Sequence, residues 1–218
     1  MWAGVDVGAH KFHAVVIDDR RVVASAVFDA ADGDGLAQWL GPVAGVGVDS
    51  PGAWSTAPHA EDGELAPKFR HARCGEVDLG RTWRIWVPWP TPTRPAPGTW
   101  MAAGISLFDA LRATGHDPVE AFPYAGFRLL AGMQLPKKTT PEGRTIRVRL
   151  LRQSGVHVDG LERSHDFLDA ALLALVARHR SLGTARVATC GHDDSAIWLP
   201  AVVSAPSGRS RRGRARTG

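Results

Sequence analysis

Cysteine is scarce in this chain: Cys74 and Cys190 are its only two. They form no metal-ligand pair in sequence. No run is long and apolar enough to span a bilayer, so neither a membrane span nor a membrane partner is expected. The first residues lack the basic region, apolar core and cleavage site of a signal peptide. The expectation is therefore a cytoplasmic protein whose two thiols are reduced. Neither a catalytic serine nor a catalytic cysteine stands out. Acids are missing from the last ten residues, which hold Arg209, Arg211, Arg212, Arg214 and Arg216.

What is present suits one large domain. A length of 218 residues and a hydrophobic share of 44% suffice for a sizeable core. The net charge of +4 becomes −1 without the five tail arginines, so the basic balance belongs to the tail and is not evidence of a basic groove on the body. The expected division is a single domain over residues 1–203, with an insertion at about 52–98, and an Arg-rich tail over 204–218. A Gly/Ser/Arg tail cannot bury a core and is expected to be disordered. Two roles stay open for it: non-specific attraction to phosphate backbones, or a solubilising extension.

Residues 2–8, W-A-G-V-D-V-G, read as a strand rich enough in Val and Ala to be buried on both faces. Asp6 sits in it as an isolated acid, which is costly to bury unless something pairs with it. Residues 10–18 and 21–28 read as two more strands, giving an antiparallel meander. Asp34 can cap a short helix running to Leu40. The stretch 43–49, V-A-G-V-G-V-D, is a further strand that also ends on an acid, Asp49. A meander, a helix and then a strand parallel to the first open an RNase H-like α/β fold, a sheet continued by parallel strands with helices on both faces. Parallel neighbours put Asp6 and Asp49 at the same sheet end.

The insertion is the least regular part. It carries Trp54, Trp83, Trp86 and Trp89 among prolines, with Lys68, Arg70, Arg73, Arg81 and Arg84. Insertions of this length are usually functional or mobile. Its tryptophans suit either a private small core or stacking on nucleotides. A helix over 100–114 follows, then a short strand at 118–123 carrying Glu120 and stopped by Pro123, a helix over 127–132, and a basic loop at 135–140. Pro141 opens a basic helix at its favoured first-turn position. In the last long helix, 164–179, Ser164 is an apt N-cap and an apolar stripe runs from Phe167 to Val176. Asp166 and Asp169 are three apart and share a face near its start. Acids there complement the macrodipole, but Asp169 lies inside the apolar run, where capping explains it less well.

Asp6, Asp49, Glu120, Asp166 and Asp169 thus end apolar strands or begin the last helix. Carboxylates converging at one sheet edge repel unless divalent cations lie between them, and hard oxygen donors suit Mg²⁺ or Mn²⁺. Two ions about 4 Å apart activate a water and stabilise the leaving oxygen of a phosphodiester.

The motifs G-V-D-V-G (Gly4–Gly8), V-D-S-P (Val48–Pro51), R-H-A-R-C-G-E (Arg70–Glu76), W-P-T-P (Trp89–Pro92), W-M-A-A-G (Trp100–Gly104), V-E-A-F-P (Val119–Pro123), K-K-T-T-P-E-G-R (Lys137–Arg144) and H-D-F-L-D-A (His165–Ala170) together resemble the domain-of-unknown-function family 429. That family is described as predicted RNase H-like nucleases, and the resemblance covers nearly all of the body. The H-D-x-x-D-A segment also looks like the last helix of RuvC-type resolvases, where two acids three apart hold metal. The resemblance implies a metal-dependent nuclease with two Mg²⁺ or Mn²⁺ ions held by Asp6, Asp49, Glu120, Asp166 and Asp169. Among them Asp6, Glu120 and Asp169 are the leading catalytic residues. Asp166 can instead cap the helix, and Asp49 can fix the Ser50-Pro51 turn. Arg73, Lys137 and Arg144 are candidates for contact with a DNA or RNA substrate, although Arg73 can also pair with Glu76. His165 suits either tuning of a ligand or a structural role. RuvC-type enzymes act on branched DNA as dimers, but no feature here carries dimerisation over, and the oligomeric state stays open.

Two other readings stand beside this one. One is a nucleic-acid-binding or processing protein that keeps the fold without cleavage. The other is an actin-like ATPase or sugar kinase, since G-V-D-V-G also resembles their first phosphate loop. A second glycine-rich phosphate loop is not found, and the chain is short for two lobes.

Overall fold

The structure is a computed structural model and describes residues 1–202. The Arg-rich tail, with the expectation of disorder placed on it, lies outside the described residues. Five strands, β1 (Trp2–Val7), β2 (Lys11–Ile17), β3 (Val22–Asp29), β4 (Val46–Val48) and β5 (Pro118–Glu120), form one mixed sheet in the order β3-β2-β1-β4-β5. The first three make the expected antiparallel meander, and β4 and β5 continue it parallel to β1. The chain is a mixed α/β protein. No helix among the described residues is long and apolar enough to cross a membrane.

Strand alternation divides the core. Ala3, Val5 and Val7 of β1, with Val46 and Val48 of β4, face a layer made by α1 (Gly33–Leu40) and α3 (Trp100–Ala113), where Leu36, Leu107, Phe108 and Leu111 are buried. The cap of α1 is Asp32, not Asp34: its carboxylate accepts from the Gly35 N–H at 3.1 Å. On the opposite face lie α4 (Pro123–Ala131), α5 (Pro141–Gln153) and α6 (His165–Ser181), packed on Val15 and Ile17. β5 ends at Glu120, short of the expected stop at Pro123, which instead starts α4 four residues before the expected helix at 127–132, because proline at the first helical position has no N–H to lose.

The central helix is α6. From Leu168 to Arg178 every residue is buried, and Ser164 caps it, accepting from the Phe167 N–H at 3.4 Å. It lies directly on the backbone of β1 and β4 because both strands present glycine there. A Cβ on Gly4 would come 2.0 Å from the Ala170 carbonyl oxygen, and one on Gly47 would come 2.4 Å from that of Leu173.

The insertion builds a third core of its own. Leu65, Phe69, Ala72, Val77, Leu79, Ile85 and Val87 pack with Ala188, Ile197 and Leu199. The last three come from a two-stranded ribbon, β6 (Arg186–Ala188) and β7 (Ile197–Leu199), near the far end of the chain. The helix of the insertion, α2 (Cys74–Trp83), packs on that ribbon. Trp83 joins this core and Trp86 packs on Phe69 and against Gly80 at its edge, whereas Trp89 points outward, 72% exposed. The private core and an outward aromatic therefore coexist.

The close seat of α6 yields a direct expectation. Gly4→Ala must push the α6 backbone away and is expected to destabilise the fold by about 3 kcal/mol, measured by equilibrium denaturation in urea. Ala3→Gly, on the other face of the same strand, serves as the comparison.

Candidate active site

Register decides which acids meet. Val5 of β1 is level with Val48 of β4, and Val48 with Glu120 of β5. The next residues, Asp6 and Asp49, therefore share the face of Gly4 and Gly47, the face covered by α6. Asp169 lies in the first buried turn of that helix. Three aspartates from three elements are thus brought to one sheet end. Glu120 is at the same end but starts on the opposite face.

Asp6 and Asp169 are both almost fully buried, at 6% and 3% exposure. Burial and the negative charge of Asp169 push the Asp6 carboxyl up to about 8, with Asp166 adding to the rise and Lys138 opposing it. Asp49 is held well above its ordinary value by burial and by Asp6 and Asp169. Asp169 is also raised by burial, but Lys138 opposes this directly: its Nζ donates to Asp169 Oδ2 at 2.5 Å. Lys138 acts electrostatically on all three aspartates, and together they lift its own value against burial. One ammonium therefore serves three carboxyls. Among the described residues, no three acids bring oxygens within 4.8 Å of one another.

Asp166 stands at the margin of this group. His13, level with Asp6 on β2, has Nδ1 3.9 Å from Asp6 Oδ2 and Nε2 3.9 Å from Asp166 Oδ2. Its ring meets Phe167 edge-on at 5.3 Å, and burial lowers its basicity. His165 Nδ1 lies 2.6 Å from Asp166 Oδ1, without the geometry of a hydrogen bond.

Glu120 belongs to a second network. Arg73 grips it with both arms, Nη1 to Oε2 at 2.7 Å and Nη2 to Oε1 at 2.5 Å. The Gly52 N–H also donates to Oε2, at 3.2 Å. Arg73 is 3% exposed. Its Nε donates to Thr91 Oγ1 at 3.1 Å, and its backbone N–H donates to Glu76 Oε2 at 2.9 Å, closing the first turn of α2. Glu76 in turn accepts from the Thr91 hydroxyl at 2.6 Å. Burial opposes the charge on Arg73, but Glu120 and Glu76 more than offset it. For Glu120, burial prevails over Arg73, and its carboxyl lies above the ordinary value. Arg73, a sequence candidate for substrate contact, is thus committed to two buried glutamates.

Two cavities share Asp49, Pro88 and Phe122 in their walls. The first, of about 360 Å³, also has Glu120, Trp89 and Trp100. The second, of about 480 Å³, has Asp169 together with Lys137, Lys138 and Arg147. Arg147 Nη1 donates to the Pro136 and Gly143 carbonyls at 3.2 and 2.9 Å, tying the start of α5 to the loop that carries Lys138. Arg144 instead reaches back to the Thr139 carbonyl at 2.6 Å and lines a different surface. The sequence reading missed Lys138, Arg147 and His13. Lys138 was within reach of it, as the second lysine of the quoted K-K-T-T segment. His13 carried only the alternation that put it level with Asp6.

The expectation of two reduced thiols is corrected. Cys74 and Cys190, 116 residues apart, form a disulfide. The loop from Cys190 to Ser195 wraps the start of α2: Asp193 accepts from the Cys74 N–H and Ser195 Oγ from the Gly75 N–H, at 3.2 and 2.9 Å. That wrapping brings the sulfurs together, and separation along the chain hid it.

A family model described as "Protein of unknown function (DUF429)" matches residues 4–194. No curated protein and no solved structure matches the chain.

Two outcomes are expected at these networks. The fold favours protonated Asp6 up to about 8, against an ordinary value of 3.8. Between those limits the folded state binds the extra proton, so Asp6 makes stability fall as pH rises and the loss levels off above about 8. In chelator-treated protein, Asp6→Asn is expected to flatten that fall and to exceed the wild type in stability at the alkaline end, measured by denaturation across the range. Arg73→Ala leaves Glu120 and Glu76 buried without a counter-charge and is expected to cost about 3–5 kcal/mol in the same assay.

Proposed function

The chain belongs to the DUF429 family of proteins of unknown function, and from that premise we propose that it is a divalent-metal-dependent nuclease on an RNase H-like fold, cleaving phosphodiester bonds in DNA or RNA. The observation that carries this reading is the meeting of Asp6, Asp49 and Asp169 at one sheet end, all raised by burial, Asp6 and Asp49 also by the charge of Asp169, with Lys138 as their shared cation.

The residues fit a divalent ion. The donors are hard carboxylate oxygens, suited to Mg²⁺ or Mn²⁺. Lys138, whose side chain is 40% exposed, is the cation an ion would replace, and the three carboxylates would have to come closer together to hold one. The chemistry supplied by a bound Mg²⁺ or Mn²⁺ would be a lowered pKa for a water and neutralisation of charge developing on the phosphodiester. Asp6, Asp49 and Asp169 are the residues that would hold it, and Asp166 can join from the margin. Glu120, with both oxygens on Arg73, holds the Gly52 turn after Asp49 in place and is not free in this arrangement.

The chain's other residues supply docking. Lys137, Lys138 and Arg147 put positive charge beside the aspartates in one cavity, where a polyanion needs it. Trp89 stands exposed in the adjoining cavity with Asp49 and Glu120, suited to stacking on a nucleobase. One observation favours the alternative of a non-catalytic nucleic-acid-binding protein: Lys138 and Arg73 already pair with Asp169 and Glu120.

The test is a panel of single-stranded and duplex DNA and RNA with Mg²⁺ or Mn²⁺, alongside Mn²⁺ calorimetry. Cleavage by the wild type is expected, lost with Asp6→Asn, while Trp89→Ala weakens substrate binding by about 1–3 kcal/mol per lost stack and leaves metal affinity unchanged. Intact substrate throughout, with nucleic-acid binding indifferent to metal and to Asp6→Asn, would move the assignment to the alternative.

A further inference from the structure

A second constellation lies away from the aspartates, where the loop after β6 crosses the start of α2. His59 Nε2 is 3.5 Å from Cys190 Sγ. The rings of His59 and His192 lie nearly parallel, with centroids 5.6 Å apart. Ligand atoms of His59, Cys190 and His192 all fall within 4.8 Å of one another, and among the described residues no other His/Cys/Asp/Glu group does so. Cys74 is bonded to Cys190 and is therefore the fourth member, and its Sγ accepts from the His192 N–H at 3.2 Å. Two imidazoles and the Cys190 sulfur thus converge, with the Cys74 sulfur bonded beside them, from three segments of the chain.

This donor set has a chemistry of its own. Thiolate and imidazole together select zinc over the hard cations that suit carboxylates. A tetrahedral zinc, about 2.3 Å from sulfur and about 2.0 Å from nitrogen, keeps its sulfur and nitrogen ligands about 3.5 Å apart. His59 and Cys190 already have that spacing. The sulfurs must separate to become ligands, and the exposed turn at Cys190–His192 allows Cys190 to move while Cys74 stays buried at the start of α2.

We propose that His59, Cys74, Cys190 and His192 form a tetrahedral zinc site in the dithiol state of the protein, interchangeable with the disulfide. A dithiol reductant gives two electrons and two protons to the Cys74–Cys190 bond and becomes a disulfide itself. Zinc then binds both sulfurs as thiolates, and two protons leave to solvent. In either state the link ties the 190–195 loop to α2 one residue beyond Arg73. The two states are therefore alternative clamps on the network that holds Glu120.

The experiment uses tag-free full-length chain, reduced without oxygen, with zinc affinity measured against a chromophoric chelator and Co²⁺ as the spectroscopic stand-in. One zinc per chain is expected, with a tetrahedral cobalt spectrum that includes thiolate-to-cobalt charge transfer. His59→Ala and His192→Ala should each weaken binding more than tenfold, with circular dichroism checking that each variant is folded. Three results would each overturn the site: a reduced chain with two titratable thiols that retains no zinc, zinc affinity unchanged in a folded variant of either histidine, or bound cobalt without the thiolate band. The last is the signature of an ion held by the aspartates.

Discussion

The approach of α6 to the sheet, with no side chain in between, is the constraint from which the rest follows. Gly4 and Gly47 let a helix backbone lie where a methyl group would collide with it. The helix that takes this place is buried on all sides, and its first buried turn carries Asp169. Two residues beyond Gly4 and two beyond Gly47, the same strand face presents Asp6 and Asp49. The glycines are therefore not passive spacers. They set the height at which an acid on a helix stands over two acids on strands.

Charge bookkeeping explains why the surrounding segments are shaped as they are. The sheet end gathers Asp6, Asp49, Asp169, Glu120 and Glu76 in largely buried positions, and each needs a partner or a proton. Arg73, planar and forked, satisfies two glutamates at once. Lys138, on a loop fastened by Arg147, is a single charge shared by three aspartates. The glutamate network is closed, with nearly every lone pair accounted for. The aspartate network is open: its protons and its one lysine are the components that can be exchanged for something else.

Much of this was legible in the chain. The meander, the parallel continuation, the α5 and α6 helices and the acids at one sheet end follow from period, from the capping residue Ser164 and from Pro141 at the first turn of α5. What was hidden depends on register and on distance along the chain. Nothing local says that Glu120 is level with Val48 and not with Asp49, yet that single step puts it on the face of Arg73. Lys137 and Lys138 are indistinguishable in a basic loop until Asp169 is placed beside one of them. Cys74 and Cys190 carry no signal that they meet, and the weak 186–188 and 197–199 strands carry none that they complete the core of a segment over a hundred residues earlier.

That last pairing has a temporal side. Apolar groups from Leu65 to Val87 find their cover in Ala125 of α4 and in Ala188, Ile197 and Leu199, so a nascent chain leaves part of the earlier set exposed until the final ribbon has been made. The sheet can assemble once β5 is available, and α6 can seat soon after. The insertion alone must wait for the end of the described chain, which makes it the last region to gain protection during synthesis and the first to lose it if the ribbon detaches.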